Sequence, residues 1–214
     1  MTGIFRSLIP FAALFALVWS AQVSAQTMNL TPGEHYKPVE TDVTSEEGEI
    51  LVQEFFWYGC PHCYHLEAYL EPWKERKGDD VRFEPLAVAL NQNWVPLTLA
   101  FYAADALDAV EQTHAAMFTA IHEQGFRPQN AEELADFYAE HGVDRDAFLQ
   151  EYGSFGNENA ARRTNSLAEQ AGVRGVPSIL VDGQYLITGE TAGGHREMIE
   201  VVNALVEQLR AEHE

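Results

Sequence analysis

The chain has 214 residues, 46% of them hydrophobic, which is enough to bury a full core without covalent staples. Its 33 acidic side chains against 13 Lys and Arg, a formal charge of −20, argue against nucleic acid and anionic membrane surfaces as partners, since both attract basic residues. The acidity reads as a solubilising shell, and two cysteines in so long a chain do not make a disulfide framework.

Arg6, the apolar run Leu8 to Trp19 and the small residues Val23-Ser24-Ala25 have the layout of a cleavable export signal over residues 1–25. The run is 12 residues long, against the ~20 that a bilayer needs. Cleavage near Gln26 would leave 12 basic and 33 acidic residues, a charge of −21, on an exported soluble protein. Residues 26–48, with Pro32, Gly33, Pro38 and Gly48, read as a lead-in arm.

Ile50 to Tyr58 is a nearly continuous run of β-branched and aromatic residues, as expected of a buried central strand. Cys60 then opens a helix with Pro61 in its first turn, where a missing amide costs nothing. Cys63, Leu66, Leu70 and Trp73 share one stripe of that helix, which Gly78-Asp79-Asp80 should end. Val81 to Leu90 is a second strand and completes a β-α-β unit. From Trp94 to Tyr152 the pattern is helical, with Leu97, Phe101 and Ala104 on one stripe and Val110, Met117 and Ile121 on another. Asn130 and Asp144 sit where helix caps belong. Another helix is expected over Asn157 to Gly172, and a hairpin at Ser178 to Val181 and Tyr185 to Thr188 around Asp182-Gly183. Glu197 to Leu209 closes the chain as an amphipathic helix, so the order is β-α-β, helical block, α-β-β-α.

Cys60-Pro61-His62-Cys63 is the chemical centre of this pattern. Two cysteines separated by two residues at a strand-to-helix switch make a redox motif. Cys60, at the helix N-terminus, meets unpaired amides and the helix dipole, which favour its thiolate. Cys60 is therefore the exposed, attacking sulfur and Cys63, on the core stripe, its shielded partner. Zinc is the competing reading, since Cys60, His62, Cys63 and His65 are all possible ligands. Four ligands within six residues do not readily surround a tetrahedral ion, and a c-type haem would need His where Tyr64 stands. His65, His114, His122, His141 and His195 read as surface or packing residues, and Trp57, Tyr58 and Tyr64 as packing around the motif.

The stretch from Glu54 to Tyr64, EFFWYGCPHCY, resembles the active-site segment of the DsbA family of periplasmic thiol–disulfide oxidoreductases. Arg174-Gly175-Val176-Pro177-Ser178 resembles the family's second signature, a loop with a cis-proline facing the disulfide. The resemblance implies an α/β, thioredoxin-like fold with an inserted all-helical domain. The expected parts are core residues 26–92, helical residues 93–156 and core residues 157–214. It implies that His62 helps stabilise the Cys60 thiolate, that Val176 offers backbone hydrogen bonds to an extended substrate beside Pro177, and that Glu54 assists proton transfer at Cys63. Many members carry a basic residue near the position of Pro85 that pairs with this acid, and Pro85 cannot do so. A partly solvated Glu54 is the competing reading. Pro61-His62 between the cysteines points to an oxidant, where a reducing thioredoxin carries Gly-Pro. The implied activity is disulfide formation in unfolded exported proteins in the periplasm, by a monomer without metal or cofactor. A DsbB-like membrane partner would reoxidise it by passing electrons to quinone. A disulfide reductase or isomerase is the alternative within the redox class.

Overall fold

The computed structural model describes residues 28–43 and 45–213, and the expected export signal lies outside them. In chain order the strands are β1 (Lys37–Pro38), β2 (Ile50–Phe56), β3 (Val81–Ala87), β4 (Ser178–Val181) and β5 (Tyr185–Thr188). The helices are α1 (Pro61–Lys74), α2 (Val95–Ala106), α3 (Val110–His122), α4 (Ala131–Glu140), α5 (Arg145–Tyr152), α6 (Phe155–Gln170), α7 (Gly189–Ala192) and α8 (His195–His213). One sheet runs in the order β1-β5-β4-β2-β3. The pair β2–β3 is parallel, as a helical crossover requires, while β4 is antiparallel to both β2 and β5.

Strand β2 is buried along its whole length, which explains why it reads as an apolar run without alternation. Its side chains still alternate in what they meet. Ile50 and Val52 join Leu66, Leu70 and Trp73 of α1 and the inner face of α8 in one core. Phe55 points the other way, into a smaller core with Ala168 and Ala171. Phe56, Tyr58, Cys60 and Cys63 belong to a third core, filled mainly by α2 to α5. The redox motif therefore sits where the sheet meets the helical block.

Several boundaries differ from those the sequence suggests. Helix α1 runs through Pro72 and ends at Lys74, before Gly78-Asp79-Asp80, with the Arg76 and Lys77 amides both closing on the Trp73 carbonyl. Strand β3 ends at Ala87, where its partner β2 gives way to the redox loop. Part of the lead-in arm is β1, which pairs Lys37 with Leu186 and Pro38 with Tyr185 at the sheet edge, the place where proline is tolerated. The hairpin turn lies where expected: Asp182 and Gly183, with φ of 49° and 67°, are the left-handed central pair of a turn that the Gln184 amide closes on the Val181 carbonyl at 3.0 Å, in a three-residue connection. A Cβ on Gly183 would stand 2.8 Å from Thr41 Oγ1 of the arm. Gly183→Ala should thus cost about 1 kcal/mol or more in denaturant unfolding, through its left-handed φ and through this contact.

Candidate active site

Between Phe56 and Pro61 the chain passes from strand to helix, and each residue of the passage has a packing reason. Trp57 stacks flat on Trp94, with ring centroids 4.5 Å apart, and its Nε1 donates to the Trp94 carbonyl at 3.2 Å. A Cβ at position 59 would lie 2.2 Å from the Trp57 ring, so Gly59 is there for close approach. Cys60 caps α1: its φ and ψ are −88° and 115°, and its Sγ accepts from the Cys63 amide at 3.4 Å. Pro61 occupies the first turn, where its lack of an amide leaves no gap.

Both cysteines are free thiols, and they are unequal. Cys60 retains 9% exposure and Cys63 none, so the attacking sulfur is more covered than the sequence suggests. The Cys60 thiol is lowered to about 6. Its largest cause is the hydrogen bond from the Cys63 side chain, working against burial, followed by the backbone amides of Cys63 and His62 and then the His62 charge. At pH 7 such a thiol is about nine-tenths thiolate, against about a hundredth for an ordinary one near 9. Cys63 is pushed well up, first by burial, then by Cys60 and Glu54. An ionised outer sulfur beside a neutral inner one is the arrangement that thiol–disulfide exchange requires.

The loop before β4 faces this pair. The Val176–Pro177 peptide bond is cis. The Val176 carbonyl accepts from Cys60 Sγ at 3.5 Å, so the backbone beside the proline lies against the reacting sulfur. A cavity of about 460 Å3 opens there, lined by His62, Val176, Pro177, Glu190 and His195. The His62 and His195 rings meet edge to face at 5.6 Å. A larger hollow of about 1270 Å3 between the lead-in arm and the β4–β5 turn has no cysteine in its lining. Among the described residues, no group of three or more histidine, cysteine and carboxylate side chains is arranged to hold a metal ion.

Glu54 is fully buried on β2, and neither carboxylate oxygen has a hydrogen-bond partner, which overturns the partly solvated reading. The β2 register sets it opposite Pro85 on one side and Ile179 on the other, and neither side chain can neutralise it. Burial raises its pKa well above the carboxylate range, and Glu67 raises it further.

Sequence reading missed the ring of polar residues behind the motif. His114 is buried, with Nδ1 3.0 Å from the Tyr58 hydroxyl and Nε2 3.7 Å from Glu67. His122 holds the same tyrosine by its carbonyl, at 2.8 Å, and stacks on Tyr64, whose hydroxyl donates to Glu123. Two histidines of α3 thus grip Tyr58 from both ends. The position of Glu67, one turn after Cys63 on the same helix face, was a usable signal. The histidines gave none, because nothing local says that α3 packs on the redox loop. His65 is exposed, as expected.

Titrating the thiolate by its ultraviolet absorbance should give a midpoint near 6 for Cys60. The folded value is depressed, so the stabilisation of the reduced protein is full above the ordinary thiol range and is lost as pH falls through about 6. The stability difference between reduced and oxidised protein should therefore shrink below that pH. His62→Pro removes an amide as well as an imidazole and should raise the midpoint more than His62→Ala does. Equal midpoints would assign the whole effect of His62 to its ring.

A family profile described as DSBA-like thioredoxin domain matches residues 65–196. The Thiol:disulfide interchange protein DsbA of Azotobacter vinelandii is 34% identical over 209 residues, covering 97% of this chain and 97% of the relative. That of Pseudomonas aeruginosa strain PAO1 is 35% identical over 207 residues, covering 96% and 98%. A crystal structure of Pseudomonas aeruginosa DsbA superposes with a TM-score of 0.79 at 35% identity, over 86% of this chain and 96% of that one. The oxidoreductase DsbA from Xylella fastidiosa does so with a TM-score of 0.78 at 32% identity, over 85% and 98%. The fold is thus thioredoxin-like, an α/β sheet core with a helical insertion. The chain belongs to the DsbA family.

Proposed function

We propose that this chain is a thiol:disulfide oxidoreductase that introduces disulfide bonds into exported proteins through the Cys60–Cys63 couple. The observation that carries this reading is the Cys60 thiol lowered to about 6, beside a Cys63 thiol that burial holds up. A thiolate that is stable when released makes a good leaving group, so electrons flow from substrate to this protein. The family names of its relatives support the same activity.

The reaction starts from the Cys60–Cys63 disulfide. A substrate thiolate attacks Cys60 Sγ, a new sulfur–sulfur bond forms, and the electron pair of the old bond goes to Cys63. Cys63 is fully buried and has a high proton affinity, so it takes up a proton. Glu54, buried and itself raised, holds a proton for that purpose. A second substrate thiolate then attacks the substrate sulfur and releases Cys60 as a thiolate that the α1 amides stabilise. The substrate leaves oxidised by two electrons, with Cys60 and Cys63 reduced. During the exchange the extended substrate hydrogen-bonds to the Val176 backbone and lies against Pro177, in the cavity these residues line. His62 faces the same cavity and adds its charge beside the thiolate.

The compartment is the periplasm, reached through the export signal over residues 1–25, and the working unit is a monomer. A DsbB-like, quinone-linked membrane protein accepts the electrons. Among the described residues no helix is long and apolar enough to cross a membrane.

Mixing the oxidised protein with a reduced, unfolded client tests the reading. Client disulfides should form at the expense of Cys60–Cys63, and Cys60→Ser should fall to the uncatalysed rate, while reduced Cys63→Ser mixed with a disulfide-bonded client should be trapped as a mixed disulfide through Cys60. The potential of the couple should lie far above the roughly −270 mV of thioredoxin. A potential at thioredoxin's level would make the protein a reductant and sink the proposal.

A further inference from the structure

One buried titratable cluster lies behind the motif and takes no direct part in the exchange. Glu67 follows Cys63 by four residues on α1, so the two side chains share a helix face, about 5–6 Å apart at Cβ. Its carboxylate lies 3.7 Å from His114 Nε2 of α3, and the two side chains are only 13% and 10% exposed. The other nitrogen, Nδ1, is 3.0 Å from the hydroxyl of Tyr58, two residues before Cys60. An imidazolium donates at both nitrogens, and a neutral ring protonated at Nε2 accepts from Tyr58 and still faces Glu67 with a proton. The imidazole is thereby aimed at Glu67 in either state.

Two carboxylates, Glu54 and Glu67, then flank the buried helix start in unlike surroundings. Glu54 has apolar neighbours in the strand ladder and no hydrogen-bond partner. Glu67 has His114. Two nearby acids in unequal settings divide the work, one ionised and one protonated. Burial alone would raise Glu67, yet the His114 imidazole 3.7 Å away brings it below the usual carboxylate range, with help from Lys74 and Glu71. Glu54 moves the opposite way, raised by burial and by Glu67, then by Cys60 and Glu71, and opposed by Lys74.

We propose that Glu67 and His114 are a positioning pair: the imidazole fixes the negative charge on Glu67, and that charge keeps the proton of the buried Glu54 in place. This rests on the reading of Glu54 as the proton donor to Cys63. When the Cys60–Cys63 bond breaks and its electron pair goes to Cys63, the Glu54 proton moves to that sulfur and leaves a carboxylate on β2. The Glu67 charge then favours the proton's return when Cys63 attacks again during reoxidation. Without His114, the proton divides between the two acids and is less often on Glu54.

Infrared spectroscopy of the full chain, reading the carbonyl stretch of protonated carboxyls at neutral pH, tests this directly. The wild type should show a buried carboxyl band that Glu54→Gln removes and Glu67→Gln leaves in place. In a His114→Gln background part of the band should become sensitive to Glu67→Gln, with a severalfold slower attack of a peptide thiolate on the oxidised protein. A band in that background that Glu54→Gln still removes completely overturns the pair. The lack of any Glu54-dependent band in the wild type overturns the underlying reading of Glu54 and the pair with it. If His114→Gln fails to fold, Glu67→Gln carries the test alone. It should move the titration of the Glu54 band to lower pH, and an unmoved titration overturns the proposal.

Discussion

Ionising one cysteine while keeping its neighbour neutral sets the terms for the whole site, because the two sulfurs are a single helical turn apart. A uniform environment would raise or lower both together. The fold separates them by direction. Cys60 stands at the open end of α1, where amides have no partners within the helix and point at its sulfur. Cys63 is turned inward, over the end of the central strand, where burial works against any charge. The inner thiol, being neutral, can donate a hydrogen bond, and that bond is the largest of the effects that lower Cys60. The two shifts therefore sustain each other: protecting Cys63 from ionisation is part of what ionises Cys60.

That arrangement explains why the neighbouring residues are as they are. Gly59 lets Trp57 lie across the loop, and the Trp57–Trp94 stack closes one side of it. Tyr58 is anchored at its hydroxyl by His114 and at its carbonyl by His122, so α3 restrains the loop at the residue before Gly59. On the opposite side the Val176 carbonyl lies against Cys60. The helical insertion thus acts as one wall of the redox site. In a sheet-and-helix core without it, Phe56, Tyr58 and Cys63 would lack the apolar cover they share with α2 to α5.

Much of this was legible in the sequence wherever the cause is local. The apolar run of β2, the Cys63-Leu66-Leu70-Trp73 stripe of α1 and the Asp182-Gly183 turn are each decided by a few adjacent residues, and each appears where periodicity or turn chemistry puts it. Asn130 and Asp144 likewise cap α4 and α5 through their own side chains. Long-range contacts were not legible. The short β1 exists only because β5 offers an edge, and α7 because Thr188 and Thr191 cap its single turn. His114 looked like a packing residue because its partners, Tyr58 and Glu67, are distant in sequence. The Glu54 burial followed from a register, since only the pairing of β2 with β3 and β4 shows what lies beside it.

The charge of the molecule divides along the same line between outside and inside. Most acids lie on the surface, where pairs such as Asp80 with Arg210 and Asp136 with Arg145 are partly exposed. Surface charges are screened over about 8 Å in physiological salt and contribute little across the body of the protein. Glu54, Glu67 and His114 are few, but they are buried close to the sulfurs, where screening is weak. Substitutions in the acidic shell should therefore alter solubility and encounter with partners while leaving the cysteine pair nearly unchanged. A single buried charge beside Cys63 acts on the reaction directly, so the local charges, not the net charge, set the chemistry of this site.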